Sequence, residues 1–262
     1  MPLAERPDVR YVDHDGVSLA VETRGHGPSA LLFVHGWISS RRMWYDVIDR
    51  LDRERFTAHA MDFRGVGASD RPLVGHDLAG YSADLRAVLA SIAAPVTIVA
   101  HSMGGKVAQF VALDPPENLK KLVLLAPGSA RAFTMNPKHR SLAEDAFGSR
   151  VRIERFQRAA MVRAIAPETM ARITEDALIA QREAWFGWYD RGRTADFHDR
   201  LGDIAVPTAV MGADGDSLAP PARLRRDVVE PIRGALFIGL RGVGHNLPIE
   251  APDEVAELIS RF

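Results

Sequence analysis

The sequence predicts an α/β fold: a mostly parallel eight-stranded sheet flanked by helices, with an inserted helical lid. Three observations carry this. Apolar runs of strand length alternate with segments of helical period, the alternation stops after Pro127, and it resumes near residue 203 and continues to the end. Strands that alternate with helices build a parallel sheet, each helix serving as a right-handed crossover. The interrupted stretch, residues 128–202, is too long for a structureless loop and carries helical patterning. The expected organisation is therefore one core from residues 1–127 and 203–262, with a lid of residues 128–202.

The elements follow in order. Val9–Asp13 and Val17–Glu22 flank Asp15-Gly16, a tight-hairpin signal. Ala30–Val34 is a continuous apolar run, as expected of a strand buried on both faces. Ser40–Leu51 has helical spacing, with Met43, Trp44, Val47, Ile48 and Leu51 on one stripe. Phe56–Met61 reads as a strand, Asp77–Ile92 as a helix, Val96–Ala100 as a strand, Lys106–Leu113 as a helix and Lys121–Ala126 as a strand. The lid stretch holds Phe133, Met135, Met161, Met170, Trp185, Phe186, Trp188 and Tyr189. Then come Thr208–Met211 (strand), Pro220–Val229 (helix), Ala235–Leu240 (strand) and Pro252–Phe262 (helix).

Composition narrows the chemistry. The 262 residues are 47% hydrophobic and 26% charged, which excludes a disordered chain. The net charge of −1 offers no overall field for nucleic acid or an anionic membrane. The absence of cysteine removes disulfides, thiolate nucleophiles and Cys-ligated metals. The start MPLAERPDVRY has no apolar leader segment, and no run approaches the ~18 apolar residues of a membrane span. A soluble, cytoplasmic protein is expected, as either a monomer or a homodimer. The nine histidines show no paired ligand spacing, so neither a metal nor a cofactor is expected. Gly25–Ala30 has dinucleotide-loop lettering but precedes a strand instead of opening a helix.

One turn carries a nucleophile signal. Ala100-His101-Ser102-Met103-Gly104-Gly105 lies between a buried strand and a helix, where a serine hydroxyl can stand above the carboxyl edge of the sheet. So sharp a turn needs small residues two before and two after the serine, and Ala100 and Gly104 supply them. A serine needs a base, and the base needs a group to hold it. Gly244-His245-Asn246 follows the last strand, so His245 reaches the same rim. Asp214 and Asp216 follow the strand before it. Parallel strands deliver all three groups to one edge, the usual place for sites in open α/β sheets.

These motifs resemble the α/β-hydrolase superfamily, and in particular its small lidded esterase-like members. Leu32-Phe33-Val34-His35-Gly36-Trp37 resembles the strand-to-His-Gly loop that provides an oxyanion-hole amide. Asp62-Phe63-Arg64-Gly65-Val66-Gly67-Ala68-Ser69-Asp70 resembles the family's Asp-x-Arg-Gly-x-Gly-x-Ser turn. Trp44, the elbow around Ser102, and Gly244-His245 followed by Glu250-x-Pro252 resemble the family too. Two positions depart from the pattern. The elbow begins with Ala100 in place of glycine, and the usual position of the acid is Gly215, so the resemblance favours Asp216 over Asp214.

The resemblance implies a serine hydrolase that cuts carboxylic esters of small, largely apolar substrates. Ser102 is then the nucleophile, His245 the base and Asp216 its partner, with the backbone amides of Trp37 and Met103 as oxyanion donors. Phe133, Met161, Trp185 and Trp188 are candidates to line an acyl pocket. His35, His101, Asp62, Arg64 and Ser69 are expected to be structural. The serine argues against haloalkane dehalogenases and epoxide hydrolases, which need a carboxylate nucleophile. Carbon–carbon bond hydrolysis, lactonase and perhydrolase activities on the same triad are the alternatives, beside a ligand-binding receptor on this scaffold.

Overall fold

The computed structural model describes residues 8–133 and 137–262. Most of the N-terminal segment read for a leader, and Met135, lie outside the described residues. Eight strands form one sheet: β1 (Asp8–His14), β2 (Val17–Arg24), β3 (Ser29–Val34), β4 (Phe56–Met61), β5 (Val96–His101), β6 (Leu119–Leu125), β7 (Thr208–Ala213) and β8 (Leu236–Leu240). Their order is β1-β2-β4-β3-β5-β6-β7-β8. β2 is antiparallel to both β1 and β4, and all other neighbours run parallel. The hairpin turns at Asp15 and Gly16, both with positive φ (51° and 76°), as a two-residue turn matched to strand twist requires.

β3 is buried from Ala30 to Val34 because helices cover both faces of the sheet there. After β3 the chain makes a tight 3-10 turn (Arg41–Trp44) and then α1 (Tyr45–Ile48). α2 (Leu78–Ala90) leads to β5, and α3 (Ser102–Ala112) connects β5 to β6. From β3 the chain steps one way to β4 and the other way to β5. Right-handed crossovers of opposite sense put α1 on one face and α2 and α3 on the other. The carboxyl edge beside β3 and β5 is thus the point where the winding reverses.

α4 (Pro137–Ala146), α5 (Arg150–Ala159), α6 (Pro167–Leu178) and α7 (Arg182–Gly187) lie between β6 and β7, followed by turns over Trp188–Gly192 and His198–Asp203. No strand occurs among the described residues of this stretch. It is bonded to the core loops: Ser40 Oγ donates to Asp176 at 2.7 Å, Gln181 N to Gly65 O at 2.8 Å, and Trp37 Nε1 to Trp185 O at 2.9 Å. α8 (Pro221–Leu224) runs into a wide π-type turn, Arg225–Val229, before β8. α9 (Leu247–Glu250) and α10 (Pro252–Arg261) complete the chain, with α10 beside α1.

Three boundaries differ from expectation for local reasons. The helix expected over residues 40–51 is half 3-10, because Ser40 closes its first turn by accepting from Arg42 N (3.1 Å) and Met43 N (3.1 Å). The helix expected over residues 220–229 loosens into the wide turn after Leu224. α3 begins at Ser102 instead of Lys106, since the poor helix propensity of Gly104-Gly105 hides a first turn that packing imposes.

The Asp62–Asp70 turn is a closed polar network. Asp62 accepts from Arg41 N (2.6 Å), Ala68 N (2.9 Å) and the Arg41 guanidinium. Ser69 Oγ donates to Asp62 O (2.7 Å) and accepts from Ala20 N (2.9 Å). Gly67 is required: its φ is 55°, and a Cβ there would sit 2.1 Å from an Asp62 carboxylate oxygen. Arg64 lies against Asp84 of α2, Nε to Oδ2 at 2.9 Å, and both are buried. Removing one partner of such a pair strands the other charge. Asp84→Ala is expected to cost about 3–5 kcal/mol in urea unfolding. The double substitution Arg64→Met/Asp84→Leu should recover most of that loss.

Candidate active site

β5 ends at His101 and α3 begins at Ser102, whose φ of 49° lies in the left-handed region. For a non-glycine residue this costs ~1–3 kcal/mol and persists only when the surroundings dictate it. They do so by close packing. A Cβ on Gly104 would fall 2.5 Å from His35 O, and one on Gly105 would fall 2.6 Å from the Pro127 ring. Ala100 is fully buried, paired with Val34 on β3 and Leu124 on β6. Ile38 (φ 51°) and Ala126 (φ 42°) are also left-handed, and with Ser102 they line one cavity. Backbone strain is concentrated there.

His245 sits between β8 and α9. Its Nε2 is 2.9 Å from Ser102 Oγ and its Nδ1 is 2.8 Å from Asp216 Oδ2. An ionised carboxylate only accepts, so Nδ1 carries a proton and Nε2 of the neutral ring is left to accept from the serine. Asp216 Oδ1 accepts from Leu218 N (2.8 Å) and Ala219 N (2.9 Å). Burial alone would raise the Asp216 pKa; the charge and hydrogen bond of His245, with the two amides, outweigh burial and hold it below the ordinary carboxylate range. Asp214, the other candidate, is directed elsewhere: its carboxylate accepts from Gly242 N at 2.7 Å.

The His245 loop is held from below. Glu250 accepts from Gly244 N (2.9 Å), Asn246 N (3.1 Å), Val162 N (2.7 Å) and Arg163 N (2.9 Å), tying that loop to the segment after α5. His245 N also donates to Ala160 O at 2.7 Å. His101 Nε2 donates to His245 O at 2.9 Å, and burial pushes its pKa down to about 3, so it supports the loop as a neutral ring. His35 donates through Nδ1 to Gly36 O (2.7 Å) and accepts at Nε2 from Phe63 N (3.1 Å), which shapes the loop carrying Trp37.

The backbone N–H groups of Trp37 and Met103 have no hydrogen-bond partner among the described residues. Met103 stands in the first turn of α3, where amides point outward and the helix dipole favours negative charge. The Trp37 ring is fixed by Trp185 (5.1 Å), Tyr189 (4.3 Å) and Phe156 (5.8 Å).

Ser102 opens into a cavity of 420 Å³. Of the expected lining residues, Phe133 and Trp188 border it. Trp185 does not: it is wholly buried behind Trp37, its Nε1 donating to Ala143 O at 3.1 Å. Met161 does not either, because its backbone packs behind Gly244 at the base of the His245 loop. Lys106, Arg193 and Arg223 also line the cavity and, among the described residues, no carboxylate does, a feature sequence reasoning missed. Lys106 was within reach of it, since it lies four residues after Ser102 on the same helix face. Among the described residues no group of three or more metal-binding side chains occurs.

The model of the alpha/beta hydrolase family matches residues 31–258, and the chain belongs to that family and is a hydrolase. The chain is 28% identical to the AB hydrolase superfamily protein YisY of Bacillus subtilis (strain 168), over 94% of this chain and 95% of that protein. It is 26% identical to a non-heme haloperoxidase of Rhodococcus erythropolis, over 94% of this chain and 96% of the other. An esterase from Exiguobacterium antarcticum superposes with a TM-score of 0.87 at 23% identity, over 96% and 97% of the two chains.

The Asp216 environment has a pH consequence. Its folded-state pKa is below the ordinary 3.8, so it contributes stability above that value and loses it as the pH falls through the folded pKa. The stability difference between wild type and Asp216→Asn, from urea melts, is expected to be largest near neutral pH and to shrink below pH 3.8.

Proposed function

We propose that this hydrolase cleaves carboxylic ester bonds of small, largely apolar substrates through an acyl-enzyme on Ser102. The observation that carries the reading is the chain of two hydrogen bonds, Ser102–His245–Asp216, at the mouth of a cavity. His245 Nε2 takes the Ser102 proton as Oγ bonds to the ester carbonyl carbon. Asp216 holds the ring in the tautomer that leaves Nε2 free, and steadies the imidazolium. The carbonyl oxygen, now an oxyanion, accepts from the amides of Trp37 and Met103, each worth about 3–4 kcal/mol of barrier in comparable sites.

His245 then gives its proton to the leaving alkoxide. Water, deprotonated by the same nitrogen, bonds to the acyl carbon; the bond from that carbon to Ser102 Oγ breaks, the proton passes from His245 back to Oγ, and the acid is released. Residues 128–202 act as a lid, an assignment supported by Phe133, Phe156, Trp188 and Tyr189 bordering the cavity. Apolar walls formed by these side chains favour a substrate with an apolar body.

Wild-type protein should hydrolyse p-nitrophenyl butyrate and react with a fluorophosphonate probe. Ser102→Ala should lower turnover by about 10⁴-fold or more and abolish labelling, with an unchanged circular-dichroism spectrum. Equal labelling of wild type and Ser102→Ala would overturn the assignment.

A further inference from the structure

The wall of the cavity is charged in one sense only. Lys106, Arg193 and Arg223 border it, and among the described residues no aspartate or glutamate does, although the chain as a whole is balanced. The three cations differ in how they are satisfied. Lys106 Nζ donates to three carbonyls, Arg131 O (3.2 Å), Arg193 O (3.2 Å) and Ala195 O (2.7 Å), so it contributes a field and no free donor. Burial pulls its pKa down to about 8. Arg223 donates to Leu218 O; burial lowers its pKa, and the nearby Asp227 and Asp216 offset part of that.

Arg193 is the exception. It is 95% buried (5% exposed), and it forms no ion pair with any acid among the described residues. A guanidinium carries five N–H donors. Among the described residues its side chain makes one hydrogen bond, from Nη2 to Phe133 O at 3.1 Å. Two aromatic rings lie against it: its Cζ is 4.6 Å from the Phe133 ring centre and 5.2 Å from that of Tyr189. Arg223 approaches the same Phe133 ring, at 5.3 Å. Burial lowers the Arg193 pKa; Tyr189 opposes this and Arg140 adds to it. A buried arginine without an acid is costly to keep. An anionic group entering the cavity would supply the missing charge and accept from the planar donor fork.

We propose that the cavity is built for a substrate with an apolar body and a free carboxylate, and that the Arg193 guanidinium, with Arg223 near the same Phe133 ring, binds that carboxylate. The inference rests on the ester reading of Ser102 and sharpens it to monoesters of dicarboxylic acids and their like. Hydrolysis adds water across the ester bond, giving the diacid and the alcohol, while the distal carboxylate takes no part in the chemistry. Arg193 is a binding residue for a remote group, and a neutral ester of equal length lacks that interaction.

The test compares monomethyl succinate, glutarate, adipate and pimelate with the methyl alkanoates of matching chain length, at constant ionic strength. At one or more chain lengths wild type should favour the anionic ester in kcat/KM by about 10- to 100-fold, the range for a charge-assisted hydrogen bond. The preference should lie mainly in KM. Arg193→Gln should bring the ratio near or below one, Arg193→Lys should restore part of it, and Arg223→Gln should lower it less. Equal kcat/KM for both series in wild type would overturn the proposal without any variant. So would a parallel loss of both esters in folded Arg193→Gln, the mark of a purely structural arginine. If no ester is hydrolysed, the reading of Ser102 fails separately, and calorimetry with Ser102→Ala decides the anion site. Monomethyl adipate must then bind, and the added Arg193→Gln must weaken it at least tenfold.

Discussion

The left-handed backbone at Ser102 is the constraint on which the rest of the site depends. It turns the chain from β5 into α3 within one residue, so that the hydroxyl stands above the sheet instead of against a neighbouring strand. That turn is sustained only because nothing larger than glycine occupies position 104, where His35 O would meet any side chain. His35 is in turn locked by bonds to Gly36 and Phe63. The loop that carries the Trp37 amide and the elbow that carries Ser102 are therefore one packed unit. Strain at Ser102, Ile38 and Ala126 is held in place by the rigid parallel strands beneath.

Buried charge is handled in three ways in this molecule. Arg64–Asp84 and Arg41–Asp62 are mutual pairs that organise the loop after β4. Asp216 and Glu250 take backbone amides as their partners, and both hold loops at the rim of the sheet. Arg193 has neither an acid nor a full set of carbonyls. The first two arrangements are complete within the chain, whereas Arg193 has donors left over among the described residues. A balanced net charge thus coexists with a locally cationic cavity, because the acidic side chains of the described residues lie outside its walls.

Much of the architecture was legible in advance for reasons of period and punctuation. Ala30–Val34 announced a central strand by its unbroken apolar run, and Asp15-Gly16 announced the hairpin through the positive φ it tolerates. Ser102, His245 and Asp216 could be placed on one rim because parallel strands end on the same side. The expected lining of the cavity was less legible. Trp185 and Met161 are as apolar as Phe133 and Trp188, and nothing local distinguishes a ring that borders a cavity from one that packs behind another ring. Arg193 was invisible, since an arginine in a charged, helical stretch reads as solvated surface.

The amino-acid sequence alone determined where the candidate side chains fall: a serine after the fifth strand, aspartates after the seventh and a histidine after the eighth, each beside residues small enough for its turn. These are local properties of spacing and side-chain size, so they survive without coordinates. Only the tertiary structure decided which of Asp214 and Asp216 faces His245, which aromatic rings enclose the cavity, and that Arg193 is buried there without a counter-charge. Each of those outcomes depends on distances between segments far apart in the chain, and no periodicity encodes such distances. Charge balance is likewise a sum over all residues, whereas a binding site responds to the few that share its walls.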